Sequence, residues 1–483
     1  MTHKLKKFKK IVVLDSVIFY PEHRSILKQL ADEIVEYPSS LPESLERQYV
    51  DNPEMFKDVR CYTELGKENS TSQLLQNRIE GADAVISCWT CIPDELLRLN
   101  PQLKLIVFWT HEKEHRLNVK LAEELGITVT NIPDYGTDAV AEVVFAGLLE
   151  LLNKNYVEQR APTTPNEVAL SVMRELFRRY RQIDRNEKYT RAGKFVHHFH
   201  KLGKIIFSFE DKDLEQIIPE KLIARKSVAL LGPSNWHELK RWLNTFEVNL
   251  DELAEIDANS ATFYKTLARN NEIIFDSRAL DQLLVAKVKA LVPAERLIDI
   301  ATLKALTYRT AGKTFGILGL GRIGFNVTRL AHQLGFNIQA TTRKTIKDPA
   351  IKQVDLDTLL EQSDILSVHL PAHKAANLLD KSKLSKLKQG AIFINTADGN
   401  ITDQKALTDL MQQKHLLAYL DVYPGLPQKN VLGLPMVSKT DWKLKDALAE
   451  HVLAYRAGWK TQESIRIKTY KLLGQLIDKL SQS

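Results

Sequence analysis

Three glycines at G-x-G-x-x-G spacing, Gly319, Gly321 and Gly324, are the residues of this 483-residue chain most directly shaped for chemistry. The residues leading into Gly319 are β-prone. Val327, Leu330 and Leu334 recur behind it at helical spacing, Gly335 closes that helix, and residues 337–341 read as a second strand. In such a unit the first glycine permits a tight turn and the second lets backbone approach a pyrophosphate. The third lets the helix pack closely on the strand while its N-terminus faces the anion. The pattern predicts dinucleotide binding, the alternative being a Gly-rich packing turn. NAD sites usually place a carboxylate at the end of the second strand for the ribose 2′-hydroxyl, but here Thr341, Thr342, Arg343 and Lys344 stand there. A hydroxyl and two cations suit a 2′-phosphate, so NADP(H) is expected and NAD(H) is the alternative. The competing account of Arg343 and Lys344 is a solvated loop.

A second constellation could hold a metal. Cys88 and Cys91 follow the apolar run 84–87, and His111 and His115, in the pentapeptide HEKEH, follow the run 103–109. If those runs are neighbouring parallel strands, both segments leave the sheet at one edge. C-x-x-C with H-x-x-x-H would then offer four ligands for tetrahedral zinc. The usual long buried helix and downstream third ligand are missing, so no metal is assigned; loop packing is preferred, with a redox C-x-x-C as a further reading. His197, His198 and His200 lie beside a basic run in which residues 174–204 carry ten Lys or Arg against three acids. A solvated helix face with Leu176, Phe177 and Tyr180 turned inward explains that run better than nucleic-acid binding.

The elements that must position these groups follow from pattern. Hydrophobic content of 44% with 26% charge marks an ordinary globular chain that can bury a sizeable core. No apolar run reaches membrane-spanning length, the N-terminus reads as a first strand, and three cysteines suit a reducing cytoplasm. Residues 10–150 alternate short strands with helical patterns, as a parallel α/β domain does. Residues 139–152 form an apolar connecting helix. Thr164-Pro165-Asn166-Glu167 is a capping box with proline at the first helical position, predicting a helix to about Arg185. Runs at 204–209, 227–231 and 273–276, with a Gly232-Pro233 turn and a helix over 235–244, indicate another small α/β layer. Further βα repeats follow at 365–370, 391–395 and 416–422, and the last amphipathic helix covers 462–480.

Together the segments KIVVLD, GADAVIS, LKLIVFW, ELGITVTNIPDYGTDAVAE, GKTFGILGLGRIG, LSVHLPAHKAANLL, GAIFINTADGN and YLDVYPGLP resemble the D-isomer-specific 2-hydroxyacid dehydrogenases. The resemblance covers residues 10–152 and 312–483. It implies an α/β protein of two Rossmann-like domains, a flavodoxin-like substrate domain and a dinucleotide-binding domain, with an inserted α/β subdomain. The expected division is 1–150 with 460–483 for the substrate domain, 151–200 for connecting helices, 201–305 for the insert and 306–459 for the dinucleotide domain. The resemblance also implies a cleft between the two domains, a small-molecule substrate and a homodimer. Carried over by motif, Gly319, Gly321, Arg322 and Ile323 match the phosphate loop, His369 and Pro371 the turn beside the adenosine, and Thr396 and Asp421 positions near the nicotinamide. His369 is expected to pack or hydrogen-bond rather than react.

The catalytic positions depart from the family pattern. The family's substrate-binding arginine falls at Asp398, its glutamate at Leu426 and its acid/base histidine at Tyr455. An aspartate repels a 2-oxo acid's carboxylate, so ordinary 2-oxo acid reduction is not expected. Asp398 and Tyr455 could still serve an altered substrate, since an aspartate binds cations and a tyrosine of lowered pKa transfers protons. The alternatives are a catalytically silent regulator or scaffold that binds NAD(P) and engages a protein partner through residues 153–310, and a metal-dependent enzyme using Cys88, Cys91, His111 and His115.

Overall fold

Five short apolar runs make the first sheet. Strands β1 (Phe8–Val13), β2 (Ala31–Glu36), β3 (Ala84–Ser87), β4 (Leu105–Phe108) and β5 (Thr128–Asn131) pair in parallel in the order β2-β1-β3-β4-β5. Every residue of β3 and β4 is buried, as runs without polar alternation must be when both faces are covered. Helices α1 (Pro21–Leu30), α2 (Ser72–Ile79), α3 (Asp94–Leu99) and α4 (Val119–Glu124) lie between these strands in sequence, and α5 (Thr137–Asn155) leads out. The computed structural model describes residues 7–15, 17–37, 72–88, 90–110, 113, 116–133, 135–181, 223–224, 226–232, 236–253, 256–371, 375–397, 401–420, 452–454 and 462–482.

After β6 (Val157–Glu158), helix α6 (Pro165–Arg181) starts where its capping box dictates: Glu167 N–H donates to Thr164 Oγ1 (3.3 Å) and Thr164 N–H to Glu167 Oε2 (3.2 Å). The inserted layer follows as β7 (Ser227–Leu231), α7 (His237–Thr245), β8 (Asn249–Leu253), α8 (Ala261–Arg269), β9 (Glu272–Phe275), α9 (Gln282–Leu291) and β10 (Leu297–Asp299). Its four strands are parallel in the order β10-β9-β7-β8, and residues 204–209 lie outside the described residues. Side chains alternate along these strands. Ala229, Leu231, Ile273 and Phe275 pack with Phe263 and Val288 of the insert's own helices. Val228, Leu230 and Ile274 join a larger core with Val172, Leu176 and Phe177 of α6, Trp242 of α7, and Phe145, Leu148 and Leu152 of α5. The insert is therefore welded to its host, because exposing each such large side chain costs about 1.5–3 kcal/mol. Its two ends are zipped by β11 (Ala305–Leu306), which pairs antiparallel with β6, and by the Tyr156 and Tyr308 rings at 4.8 Å. Three arginines of the basic run are paired with acids: Arg174 and Arg178 with buried Glu150, and Arg179 with Glu175 and Glu272.

The third sheet is fully parallel with seven strands in the order β14-β13-β12-β15-β16-β17-β18. In chain order it comprises β12 (Thr314–Leu318), α10 (Arg322–Gln333), β13 (Asn337–Thr341), β14 (Ile351–Gln353), α11 (Leu356–Gln362), β15 (Ile365–Val368), α12 (Lys381–Leu384), β16 (Ile392–Asn395), α13 (Gln404–Lys414), β17 (Leu417–Leu420) and β18 (Val452–Ala454). The last helix, α14 (Gln462–Ser481), returns to the first sheet, where Ile465, Leu472 and Leu476 share a core with Val13, Ile86 and Val107. Among the described residues no helix is long and apolar enough to cross a membrane.

The junction of α1 and α14 is pH-sensitive. His23 is fully buried, its Nδ1 accepts the Tyr20 N–H (3.1 Å), and its ring stands edge-on to Tyr470 of α14 at 4.4 Å. The neutral tautomer therefore carries its proton on Nε2. Burial pushes the His23 pKa down to about 4, against the upward pull of the Glu22 carboxylate. The unfolded chain takes up a proton near pH 6.5 that the folded chain refuses until about pH 4. Stability at this position is thus complete above pH 6.5 and is lost as pH falls toward 4, by at most about 3 kcal/mol. Denaturant unfolding of wild type and His23→Gln at pH 7 and pH 4.5 checks this; equal pH slopes would refute it.

Candidate functional site

The edge formed by the carboxyl ends of β12, β15 and β16 gathers most of the nucleotide residues. Register aligns Leu318 with Thr341 and Val368, and Val368 with Asn395, so Gly319, His369 and Thr396 emerge side by side. Gly319 has φ +99°, and a Cβ there would meet His369 O at 2.8 Å, so only glycine fits the turn. A Cβ on Gly324 would sit 2.1 Å from Gly319 O, so helix α10 lies as close to the turn as backbone allows. Gly321 is different: nothing lies within 4 Å of the position its Cβ would take. It is the N-cap of α10 and provides no side-chain cap, leaving the helix's first N–H groups to an anion. That combination of an open second glycine and an uncapped 12-residue helix fits a pyrophosphate. Arg322 is exposed, and Ile323 is half-buried against the main core.

His369 is held by its neighbours. Its N–H donates to Leu318 O (2.8 Å), Nε2 lies 2.9 Å from Ser367 Oγ, and Nδ1 lies 3.5 Å from Thr396 Oγ1. The residue as a whole is half-buried, but burial of the ring pushes its pKa down to about 3. A neutral imidazole with two hydroxyl neighbours is a hydrogen-bonding group at physiological pH, not a proton carrier. Pro371 is exposed at the same edge.

At the end of β13, Thr341 Oγ1 donates to Val354 O (2.9 Å), and the chain turns outward through half-buried Thr342 and exposed Arg343 and Lys344. Gln353 of β14 braces this loop. Its Nε2 donates to Thr342 O and Lys344 O (both 3.1 Å), and its Oε1 accepts from Ile346 N–H (3.0 Å). Sequence reading missed Gln353, because a lone glutamine in a three-residue strand has no periodic signature. Asp398, Asp421 and Tyr455 lie outside the described residues.

β3 and β4 are parallel neighbours, with Ser87 opposite Phe108, so the segments carrying Cys88 and Trp109 leave the first sheet at one edge, as expected. Buried Asp15 gathers the first of these loops, accepting from the Cys88 N–H, the Thr90 N–H (2.7 Å) and Thr90 Oγ1 (2.7 Å). The Cys88 thiol is buried 3.6 Å from Trp109 O, and Cys91 is half-buried. His111 and His115 lie outside the described residues; among the described residues no three His, Cys, Asp or Glu side chains are grouped to hold a metal.

Comparison with known proteins agrees with this geometry. Residues 285–442 match the model of the D-isomer specific 2-hydroxyacid dehydrogenase NAD binding domain. Residues 285–442 therefore carry a dinucleotide-binding domain of the D-isomer specific 2-hydroxyacid dehydrogenase type. The chain is 33% identical to D-3-phosphoglycerate dehydrogenase of Archaeoglobus fulgidus over 201 residues, which is 38% of each chain. Its identity to glyoxylate reductase of Korarchaeum cryptofilum is 29% over 232 residues, 42% of this chain and 70% of that one. The match thus spans under two-fifths of the first relative's length. The solved structure of D-2-hydroxyisocaproate dehydrogenase superposes with a TM-score of 0.51 over 98% of this chain and 97% of that one, at 15% identity, and so shares the fold. The matched NAD binding domain includes the glycine turn and supports a nicotinamide dinucleotide as its ligand.

Proposed function

We propose that this chain is a divergent 2-hydroxyacid-dehydrogenase-type protein, an NADP(H)-preferring oxidoreductase acting on CH–OH or carbonyl groups of a small molecule other than an ordinary 2-oxo acid. The observation that carries the cofactor preference is the loop after β13. Its first six residues, 342–347, have no carboxylate, and Arg343 and Lys344 form no ion pair among the described residues, while Gln353 holds the carbonyls of Thr342 and Lys344. The bound nicotinamide supplies hydride chemistry. This chain's residues orient it: Gly319, Gly321 and the α10 N-terminus take the pyrophosphate, Thr342, Arg343 and Lys344 the 2′-phosphate, and Thr396 and Asp421 flank the nicotinamide. The substrate reading rests on Asn395-Thr396-Ala397-Asp398-Gly399, where the family places arginine before the glycine. Asp398 favours a cationic group on the substrate, and Tyr455 supplies or accepts the proton.

A cytoplasmic homodimer is the expected form, on the family's habit and the few cysteines; light scattering of the purified chain checks the assembly. Turnover of NADPH against a panel of neutral, cationic and anionic carbonyl compounds tests the activity. Oxidation with cationic or neutral members and little with pyruvate is expected. Vigorous pyruvate reduction would overturn the account of the pocket, whereas tight NADPH binding with no turnover on any member would leave a nucleotide-binding regulator.

A further inference from the structure

The side-chain amide of Gln353 is wholly committed to one loop. Its Nε2 donates to Thr342 O and Lys344 O (both 3.1 Å), and its Oε1 accepts from the Ile346 N–H (3.0 Å). Gln353 is exposed, so water competes for these bonds and their net contribution to stability is small. What they fix is direction. Across a trans peptide the C=O and N–H point to opposite sides, and no described peptide is cis. Turning the carbonyls of residues 342 and 344 toward Gln353 therefore turns the N–H groups of Arg343 and Thr345 away from it. Neither of those N–H groups donates to an acceptor among the described residues.

The side away from Gln353 is the cofactor's side. β14 is the edge strand, β13 is its only neighbour, and β12 lies on the other flank of β13. The Gly319 N–H, at the head of the glycine turn, donates to Thr341 O (3.0 Å), so that turn adjoins the residue just before the loop on the flank opposite β14. Thr342 Oγ1 accepts the Lys344 N–H (3.4 Å), which leaves its own proton to donate. Two outward N–H groups and a hydroxyl within residues 342–345 are the donors of a backbone anion seat, to which Arg343 and Lys344 add charge.

We propose that Gln353 is the positioning residue for cofactor specificity: without touching the nucleotide, it aims the Arg343 and Thr345 N–H groups at the 2′-phosphate by holding the 342 and 344 carbonyls. The proposal rests on the NADP(H) reading and deepens it, because the preference is then set by backbone direction as well as by two cations. Fluorescence titration of the full chain with NADPH and with NADH, at low and high salt, tests this in wild type, Gln353→Leu and Gln353→Ala. Both variants should bind NADPH about tenfold more weakly and NADH within about twofold of wild type, the retained NADH binding showing that they fold. The loss should persist at high salt, because the misdirected donors are neutral. An unchanged ratio of the two affinities, or equal weakening of both as a merely structural brace would give, overturns the proposal while wild type still prefers NADPH. A loss that vanishes at high salt traces to displaced charge and overturns it too. Wild type binding both nucleotides equally would instead sink the cofactor reading, and the proposal with it.

Discussion

Gly324→Ala is expected to destabilise the third sheet by about 1–3 kcal/mol or more and to abolish measurable nucleotide binding, whereas Gly321→Ala should remain as stable as wild type and lose affinity alone. The two glycines stand three residues apart in one turn but face different surroundings. A methyl group on Gly324 would lie 2.1 Å from Gly319 O, so α10 must move off β12, and both the Val327 and Leu330 packing and the phosphate turn go with it. Gly321 has φ −81° and ψ −167°, open to any residue, and empty space where its Cβ would be. Alanine is therefore tolerated in the folded protein, yet its methyl occupies the approach to the α10 N-terminus. A loss of about 10–100-fold in dinucleotide affinity corresponds to about 1.4–2.8 kcal/mol. Denaturant unfolding and fluorescence titration with NADPH separate the two effects. Equal stability of the variants, or full affinity in Gly321→Ala, would contradict the cradle as described.

The second large effect is expected from Arg343→Glu. Replacing an exposed cation beside the proposed 2′-phosphate with an anion changes attraction into repulsion; at an effective dielectric near 20 each unit-charge contact at about 4 Å is worth up to ~4 kcal/mol, less with solvent and salt screening. The ratio of NADPH to NADH affinity should fall about 100-fold, mostly through weaker NADPH binding, and the fall should shrink at high salt. Gln353 keeps its bonds to the Thr342 and Lys344 carbonyls in this variant, so the loop geometry is retained and the change reports charge alone. An unchanged ratio would refute the 2′-phosphate assignment and leave Arg343 and Lys344 as solvated loop residues.

Much of the architecture was legible in the chain because its signals are local. The glycine spacing with a strand on each side announced the β12-α10-β13 unit, and Thr164-x-x-Glu167 announced the start of α6 to the residue. The alternation of strands and helices predicted a parallel sheet, whereas the adjacency of β3 and β4 entered only as a condition that the structure meets. Two-residue strands were illegible: β6 and β11 are too short for any period, yet their pairing of residues 157–158 with 305–306 closes the neck of the insert. The expectation of a further α/β layer was met, with β7 and β9 at two of the expected runs and β8 and β10 added, but pattern alone did not reveal that one face of that layer shares a core with α5 and the third sheet.

What the sequence determined by itself was thus the order and kind of elements and the chemistry of the glycine turn, since backbone conformation and periodic burial are encoded within a dozen neighbouring residues. The tertiary structure alone decided which distant side chains meet. Gln353 came under the loop of Arg343, and Lys468, some 350 residues from Trp109, came between two rings of the first sheet. Such contacts depend on how helices and sheets dock, and docking is set by the summed fit of buried surfaces, which leaves no mark at the single positions it brings together.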